Sequence, residues 1–521
     1  MPTGSRGAFR PCGGHRRAGG GIQRTGKRFM DKREKMAAMG GGRLLPLIFK
    51  YAWPSVITMV VNQLYNVVDR VYIGQGCGPD AIAGLALTFP FMGALGAVGV
   101  LIGMGCSTVL SISLGAGRTD DAERVLGQCV AMKVIFGLVL PPLMFFFGFR
   151  PLLALMAGDG TTAETMRIAH QYLSITIFFN IFAHLGFGLS AAMRAEGSPR
   201  QSMQCMLIGC ATNILLDPLF IFSEIPVPVF GRTLTIPGLG LGVAGAAWAT
   251  NIAMVVTCGC ALGFYVLGRS VVRLRLRNVR VWRDLAPRAL SIGLSPCLMQ
   301  VMGALIGFSM NHAFARWASS PEEGTVQISA FGIVGTVSFL FFIPSQGVQQ
   351  GIAPIIGYNW GAKNYGRVRK TLVLGLKLTA AACLIAFTGM VGFARTFSRC
   401  FASAENADVV AAATFALRTA NCMIWTIFVN VAATTYFQAV GKPRMAIRLS
   451  LLRQCICLLP IVWILPHFME HHILAVWLAM PISDVVAQVA TIPPLVGEWR
   501  ELVRLQVGDR RKGGRAGAGV A

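Results

Sequence analysis

Long apolar runs dominate the chain, separated by short polar or Gly/Pro-rich connections. Twelve of them reach the roughly 20 mostly apolar residues that a spanning helix needs. They are 50–74, 82–114, 123–147, 164–193, 201–223, 239–268, 286–314, 325–357, 368–394, 407–438, 446–466 and 473–497. Several exceed a minimal span, so tilt, bends or extension beyond the bilayer is expected. The pattern predicts an all-α polytopic membrane protein with twelve transmembrane helices.

Composition sharpens this. Of 521 residues, 54% are hydrophobic and 13% charged, against about 25% charged in a soluble globular chain. The 47 Lys+Arg outnumber 22 Asp+Glu, for a net charge of +25. Alone, that excess would suggest a nucleic-acid partner. Here the apolar runs scatter the cations, and no nucleic acid is expected.

The cations sort by side. Connections after odd-numbered spans carry few: none at 75–81, Arg150 with Asp159, Arg232 with Glu224, Arg316 with Glu322 and Glu323. Connections after even-numbered spans are basic: Arg118/Arg124, Arg194/Arg200, the run 269–283, Lys363/Arg367/Arg369/Lys370 and Lys442/Arg444/Arg448. The weakest member of the first set is 395–406, with Arg395 and Arg399. The positive-inside rule predicts that both termini are cytoplasmic. Residues 1–43 are Gly- and Arg-rich without an apolar core, which reads as a disordered basic tail rather than a secretory signal. Residues 499–521 form a second basic tail that includes Arg510, Arg511 and Lys512. Most of the fourteen cysteines lie inside apolar runs without zinc spacing, and read as small buried hydrophobes.

Two strings recur: AEGSPR at 195–200 and AVGKPR at 439–444, an offset of 244. The same offset places Gly117 on Gly361, and at nearly the same offset Pro54 faces Pro296. The repeat predicts two six-helix bundles related by a pseudo-two-fold axis along the membrane normal. The expected domains are an N-lobe at 44–268, a cytoplasmic linker at 269–285 and a C-lobe at 286–498. Transporters with this architecture rock one bundle against the other around a central cavity.

Three acids lie well within spans: Asp69, Asp217 and Asp484. A carboxylate at membrane depth costs roughly 2.5–3.5 kcal/mol even on the lenient insertion scale, so each should face a polar cavity, pair with a partner or take up a proton. Asp69 lies about 28 Å along the first span at 1.5 Å per residue. Asp217 sits at similar depth on the fifth. Asn213 shares its helix face at i,i+4, and Thr250 on the sixth span reaches the same level. Pro218 cannot donate to the carbonyl of Ile214, inviting a bend; Pro54 does the same in the first span. Two acids, an amide and a hydroxyl at one level suit a proton or sodium site. Asp484, with Gln438 as neighbour, is expected to line the substrate cavity or to serve as a structural polar group. No metal site or organic cofactor is expected.

The strings YAWPSVITMVVNQLYNVVDRVYIGQ, NILLDPLFIF, AEGSPR/AVGKPR and GIAPIIGYNWGAKN together resemble the multidrug and toxic compound extrusion (MATE) family, in particular its bacterial multidrug exporters. The resemblance covers about residues 44–498. It implies a two-lobe antiporter exporting organic cations and other amphiphiles in exchange for protons or sodium. It further implies that Asp69, Asn213, Asp217 and Thr250 couple the cation and that the first helix bends at or near Pro54. A monomer in a bacterial plasma membrane is expected. Acids that some relatives use in the seventh and tenth spans are missing here from the span cores, so no C-lobe sodium site of that kind is expected. The rival readings are a lipid-linked oligosaccharide flippase, an exporter of an endogenous metabolite and an intramembrane enzyme. The last would need a HExxH, GxGD or GxSxG signature, and no span carries one.

Overall fold

The computed structural model describes residues 34–148, 162–229, 232–401 and 406–517, with side chains described throughout except at 226–229, 232–234 and 509–517. Arg150 and Asp159 lie outside the described residues, and the side chains of Arg232, Arg510, Arg511 and Lys512 lie outside the described side chains. The long apolar runs form α1 (Leu44–Cys77), α2 (Pro79–Gly115), α3 (Thr119–Leu143), α4 (Ala163–Thr176), α5 (Asn180–Ala195), α6 (Pro199–Ile221) and α7 (Val243–Val266) in the first half. The second half holds α8 (Ala286–Trp317), α9 (Pro321–Gly361), α10 (Tyr365–Gly392), α11 (Ala394–Phe401) and α12 (Ala407–Ala420). It continues with α13 (Phe428–Ala439), α14 (Pro443–Leu451), α15 (Leu459–Ile464) and α16 (His472–Gly517).

Eleven described helices are long and apolar enough to cross a membrane, and the α4/α5 pair, bent by 56°, makes a twelfth. That bend sits at 177–179. The tenth span breaks in the same place of the repeat, at 421–427 between α12 and α13. A π-helical turn at Leu452–Leu458 joins α14 to α15.

The all-α expectation is corrected in one detail. Between α6 and α7 an antiparallel hairpin pairs β1 (Glu224–Val229) with β2 (Arg232–Pro237). Part of the expected amino-terminal disordered tail is also ordered. Residues 34–41 are helical with Met39 buried, because Asn359 and Arg367 both donate to the Met39 carbonyl at 3.0 Å. At the other end, the boundary at 498 falls inside α16, which runs on to Gly517.

The repeated AxGxPR strings are helix stop–start signals. Gly197 and Gly441 have φ of 91° and 75°, conformations that glycine adopts without a Cβ penalty. Pro199 and Pro443 then open α6 and α14, where proline's missing N–H costs nothing. Helix α9 begins with a side-chain cap: Ser320 Oγ accepts from Glu323 N at 3.1 Å, and Glu323 Oε2 accepts from Ser319 N, one residue before the cap, at 2.8 Å.

Glycines let the two lobes meet backbone to backbone. A Cβ on Gly115 would run into the Tyr358 carbonyl oxygen, and one on Gly361 into that of Ile112. Gly105 meets Ala289 O across α2 and α8, Gly293 meets Leu101 O, and Gly351 sits against Ile48 and Ala52 of α1. Small residues at such crossings replace the hydrophobic drive that lipid removes. The crossing also corrects the register of the repeat here. Gly361 corresponds to Gly115, not Gly117, since both open a Gly-Ala C-cap and Gly117 (φ 74°) is matched by Lys363 (φ 58°).

The lobes exchange helix ends where they cross. Leu47, Ile48 and Tyr51 of α1 belong to a C-lobe core with Ile352, Leu372 and Phe437. Ala289 and Ile292 of α8 belong to the N-lobe core. The seam is thus closed on the face that carries the basic connections. The linker is pinned to that face. Glu196 Oε2 accepts from Val271 N and Val272 N at 3.0 and 3.1 Å, and Arg275 pairs with Glu123 at 2.7 Å. On the opposite face Arg395, Arg399 and Arg418 line a groove of about 670 Å³, so that side is less neutral than its loop charges suggest.

Candidate functional site

Asp69 projects from α1, Asn213 and Asp217 from α6, and Thr250 from α7. All four expected coupling residues are buried and meet in the N-lobe. Asn213 Nδ2 donates to Asp217 Oδ1 at 3.1 Å and approaches Thr250 Oγ1 at 3.4 Å. Asp69 and Asp217 are close enough to influence each other electrostatically, and no hydrogen bond joins their carboxyl groups. Asp69 Oδ1, Asp217 Oδ2 and Asn213 Oδ1 have no hydrogen-bond partner. Buried acceptors left this way cost about 1–3 kcal/mol each, so the cluster is built to receive something positive. No group of three or more His, Cys, Asp or Glu suited to a metal ion occurs among the described residues.

Two tyrosines complete the pocket and escaped the reading of spacing. Tyr65 and Tyr172 stand in the neighbourhood of Thr250 and the two acids. Tyr65 stands four residues before Asp69, on the same helix face; that spacing was the available signal. Tyr172, from α4, gave none. Pro54 and Pro218 lie inside α1 and α6, which remain continuous helices through them. Thr58 Oγ1 donates to the Pro54 carbonyl at 2.8 Å.

Between the lobes lies a cavity of about 450 Å³. Met59, Met104 and Phe187 face it from the N-lobe; Met299, Phe342 and Pro296 face it from the C-lobe. Gln438 lines it, together with Gln300, Gln346, Gln349 and Gln350. Asp484 sits behind the wall and pairs with Arg453, Nη1 to Oδ1 3.0 Å, with Asp484 the more buried partner (8% exposed against 27%). It is therefore a structural partner of Arg453, and Arg453 is the group that lines the cavity. Arg194 also turns into the cavity rather than standing in the basic connection. Lys133 is fully buried and donates to the Gly99 carbonyl at 2.9 Å.

Comparison with known proteins places this geometry. The family model MatE matches residues 54–219 and 298–464, one stretch in each lobe. The chain belongs to the MatE family. The multidrug export protein MepA of Staphylococcus aureus (strain MSSA476) is 25% identical over 422 residues, covering 80% of this chain and 86% of MepA. The MATE multidrug transporter DinF-BH, solved in complex with R6G, is 31% identical with a TM-score of 0.76, covering 88% of this chain and 96% of that one. A MATE family transporter of the MOP superfamily, solved in an outward-facing conformation, shares the fold at 23% identity and a TM-score of 0.78, covering 88% and 96%. The MatE chain described here is accordingly a multi-pass helical membrane protein with both repeats of its family.

Proposed function

We propose that this MatE protein exports amphiphilic small molecules from a bacterial cell in exchange for protons, by alternating access, with the basic face cytoplasmic. The names of MepA and DinF-BH as multidrug proteins support the export of small molecules. The observation that carries the coupling is the burial of Asp69 and Asp217 in one cluster with three partnerless acceptor oxygens. A proton shared by the two carboxyls holds α1 against α6. When it leaves toward the cytoplasm the two negative charges repel, and α1 is free to move at Pro54, where the Lys50 carbonyl lacks its helical donor. Substrate in the central cavity and the shared proton favour different states, which is all that exchange requires. Sodium is the second reading, favoured by the oxygen-only donor set of Asp69, Asp217, Asn213 and Thr250; it would bridge the two carboxylates in place of the proton.

The test is reconstitution with a pH-sensitive dye trapped in the lumen. Substrate should drive proton movement in the wild type and none in Asp69→Asn, while the variant stays monodisperse and still binds substrate. Wild-type proton movement in Asp69→Asn would overturn the proposal. A sodium gradient imposed with a protonophore present separates the two ions.

A further inference from the structure

The polarity of the central cavity points to the charge of its occupant. Family resemblance implies organic cations, and a cation held in a low-dielectric cavity needs a carboxylate there. Among the residues lining this cavity there is no Asp or Glu; the ionisable ones are Arg194 and Arg453. The acids of the neighbouring elements are engaged elsewhere. Asp484 pairs with Arg453 at 3.0 Å, Glu196 holds the linker backbone, and Asp69 and Asp217 lie in the buried cluster inside the N-lobe. Two guanidiniums less one carboxylate leave a net charge of +1 (+2 − 1) at the wall.

Arg194 is the unneutralised group. Its Nη1 donates to Ser202 Oγ at 2.9 Å, and no carboxylate lies within ion-pair distance of it among the described residues. A guanidinium carries five donors in a planar fork that matches a carboxylate or phosphate edge. Around it the wall is apolar and pliable, with Met59, Met104, Met299 and Phe187. Methionines of this kind accommodate varied apolar bodies. The glutamines supply neutral donors and acceptors that accept either sign of charge without demanding one.

We infer that the central cavity binds amphiphiles with an anionic head, the head paired to Arg194 and the apolar body laid along the methionine wall. The inference rests on the export reading for its physiological meaning, because the cavity is the route that reading assigns to substrate. A soluble carboxylate or sulfonate and the phosphate head of a lipid-linked molecule present the same chemistry to Arg194.

Two xanthene dyes of similar shape and opposite charge provide the test. Fluorescence anisotropy with purified protein should show fluorescein binding at least about tenfold more tightly than rhodamine 6G. Arg194→Gln should weaken fluorescein by roughly ten- to a hundredfold, the span of one charge-assisted hydrogen bond, tighten rather than weaken rhodamine 6G, and be largely rescued by Arg194→Lys. Equal or tighter binding of rhodamine 6G by the wild type overturns the inference whether or not the variant folds, as does fluorescein binding indifferent to Arg194→Gln. Displacement of fluorescein by cholate, rather than by farnesyl phosphate, identifies a soluble source; the reverse identifies a lipid-linked one. Coupling retained in Asp69→Asn alongside Arg194-dependent fluorescein binding would remove the proton reading and leave the ligand class standing. Loss of coupling together with a preference for rhodamine 6G would do the opposite.

Discussion

The Arg453–Asp484 pair predicts an asymmetry between its two single mutants. Replacing Arg453 with Met strands a carboxylate that is 8% exposed, and removal of one partner from a buried pair costs about 3–5 kcal/mol. Replacing Asp484 with Asn strands the other member, but the Arg453 side chain is 27% exposed and opens onto the cavity. That loss is closer to one hydrogen bond to a charged group, about 1.5–3 kcal/mol. Replacing both with Met and Leu removes the desolvation problem altogether and should return stability to near that of the wild type. A thiol-reactive coumarin maleimide reads unfolding in detergent, because Cys106, Cys129 and Cys383 are buried and unpaired in the folded chain. The expected order of melting temperature is Arg453→Met lowest, Asp484→Asn intermediate, and the double variant near wild type. The reasoning fails if Arg453→Met melts with the wild type, or if the double variant is no better than Arg453→Met.

Gly361→Ala should push α9 away from the Ile112 carbonyl and destabilise the closed seam by about 1–3 kcal/mol, the usual cost of overpacking. A cysteine placed at Ser111, which lines the cavity, should then react faster with a membrane-impermeant maleimide added from the basic face; an unchanged rate would show that the crossing does not close that side. Glu196→Ala deprives Val271 N and Val272 N of their shared acceptor and frees the arginine-rich linker. Limited trypsin digestion should cut within 269–283 several-fold faster than in the wild type, and equal rates would refute the pinning.

Much of this was legible from spacing. The apolar runs gave the spans, and the stop–start role of Gly197-Ser198-Pro199 and its copy Gly441-Lys442-Pro443 was visible as a repeated string. The Asp69/Asp217 meeting was legible too, because helix rise converts sequence position into membrane depth. What stayed hidden depends on azimuth, meaning which way a side chain points around its helix. Arg194 counts as a loop cation in any tally of sides, yet its long stem carries the guanidinium back into the cavity. Arg453 and Asp484 are 31 residues apart on different helices, and no local pattern announces that they pair. The break at 421–427 falls in an apolar run without proline or glycine, so nothing in composition marks it.

The crossing of α2 and α9 has one more consequence. Ile112 and Tyr358 are 246 residues apart, as are Gly115 and Gly361, and each glycine receives the carbonyl of the other half's partner residue. Such reciprocity is the mark of an isologous contact, in which one surface is its own complement. A lone six-span unit bearing both the glycine and the receiving carbonyl would find its mate in a second copy of itself. The two lobes are thus related as the protomers of a homodimer are, and the linker at 269–285 is the covalent tie that lets each half diverge, keeping paired acids in one and an arginine-bound acid in the other.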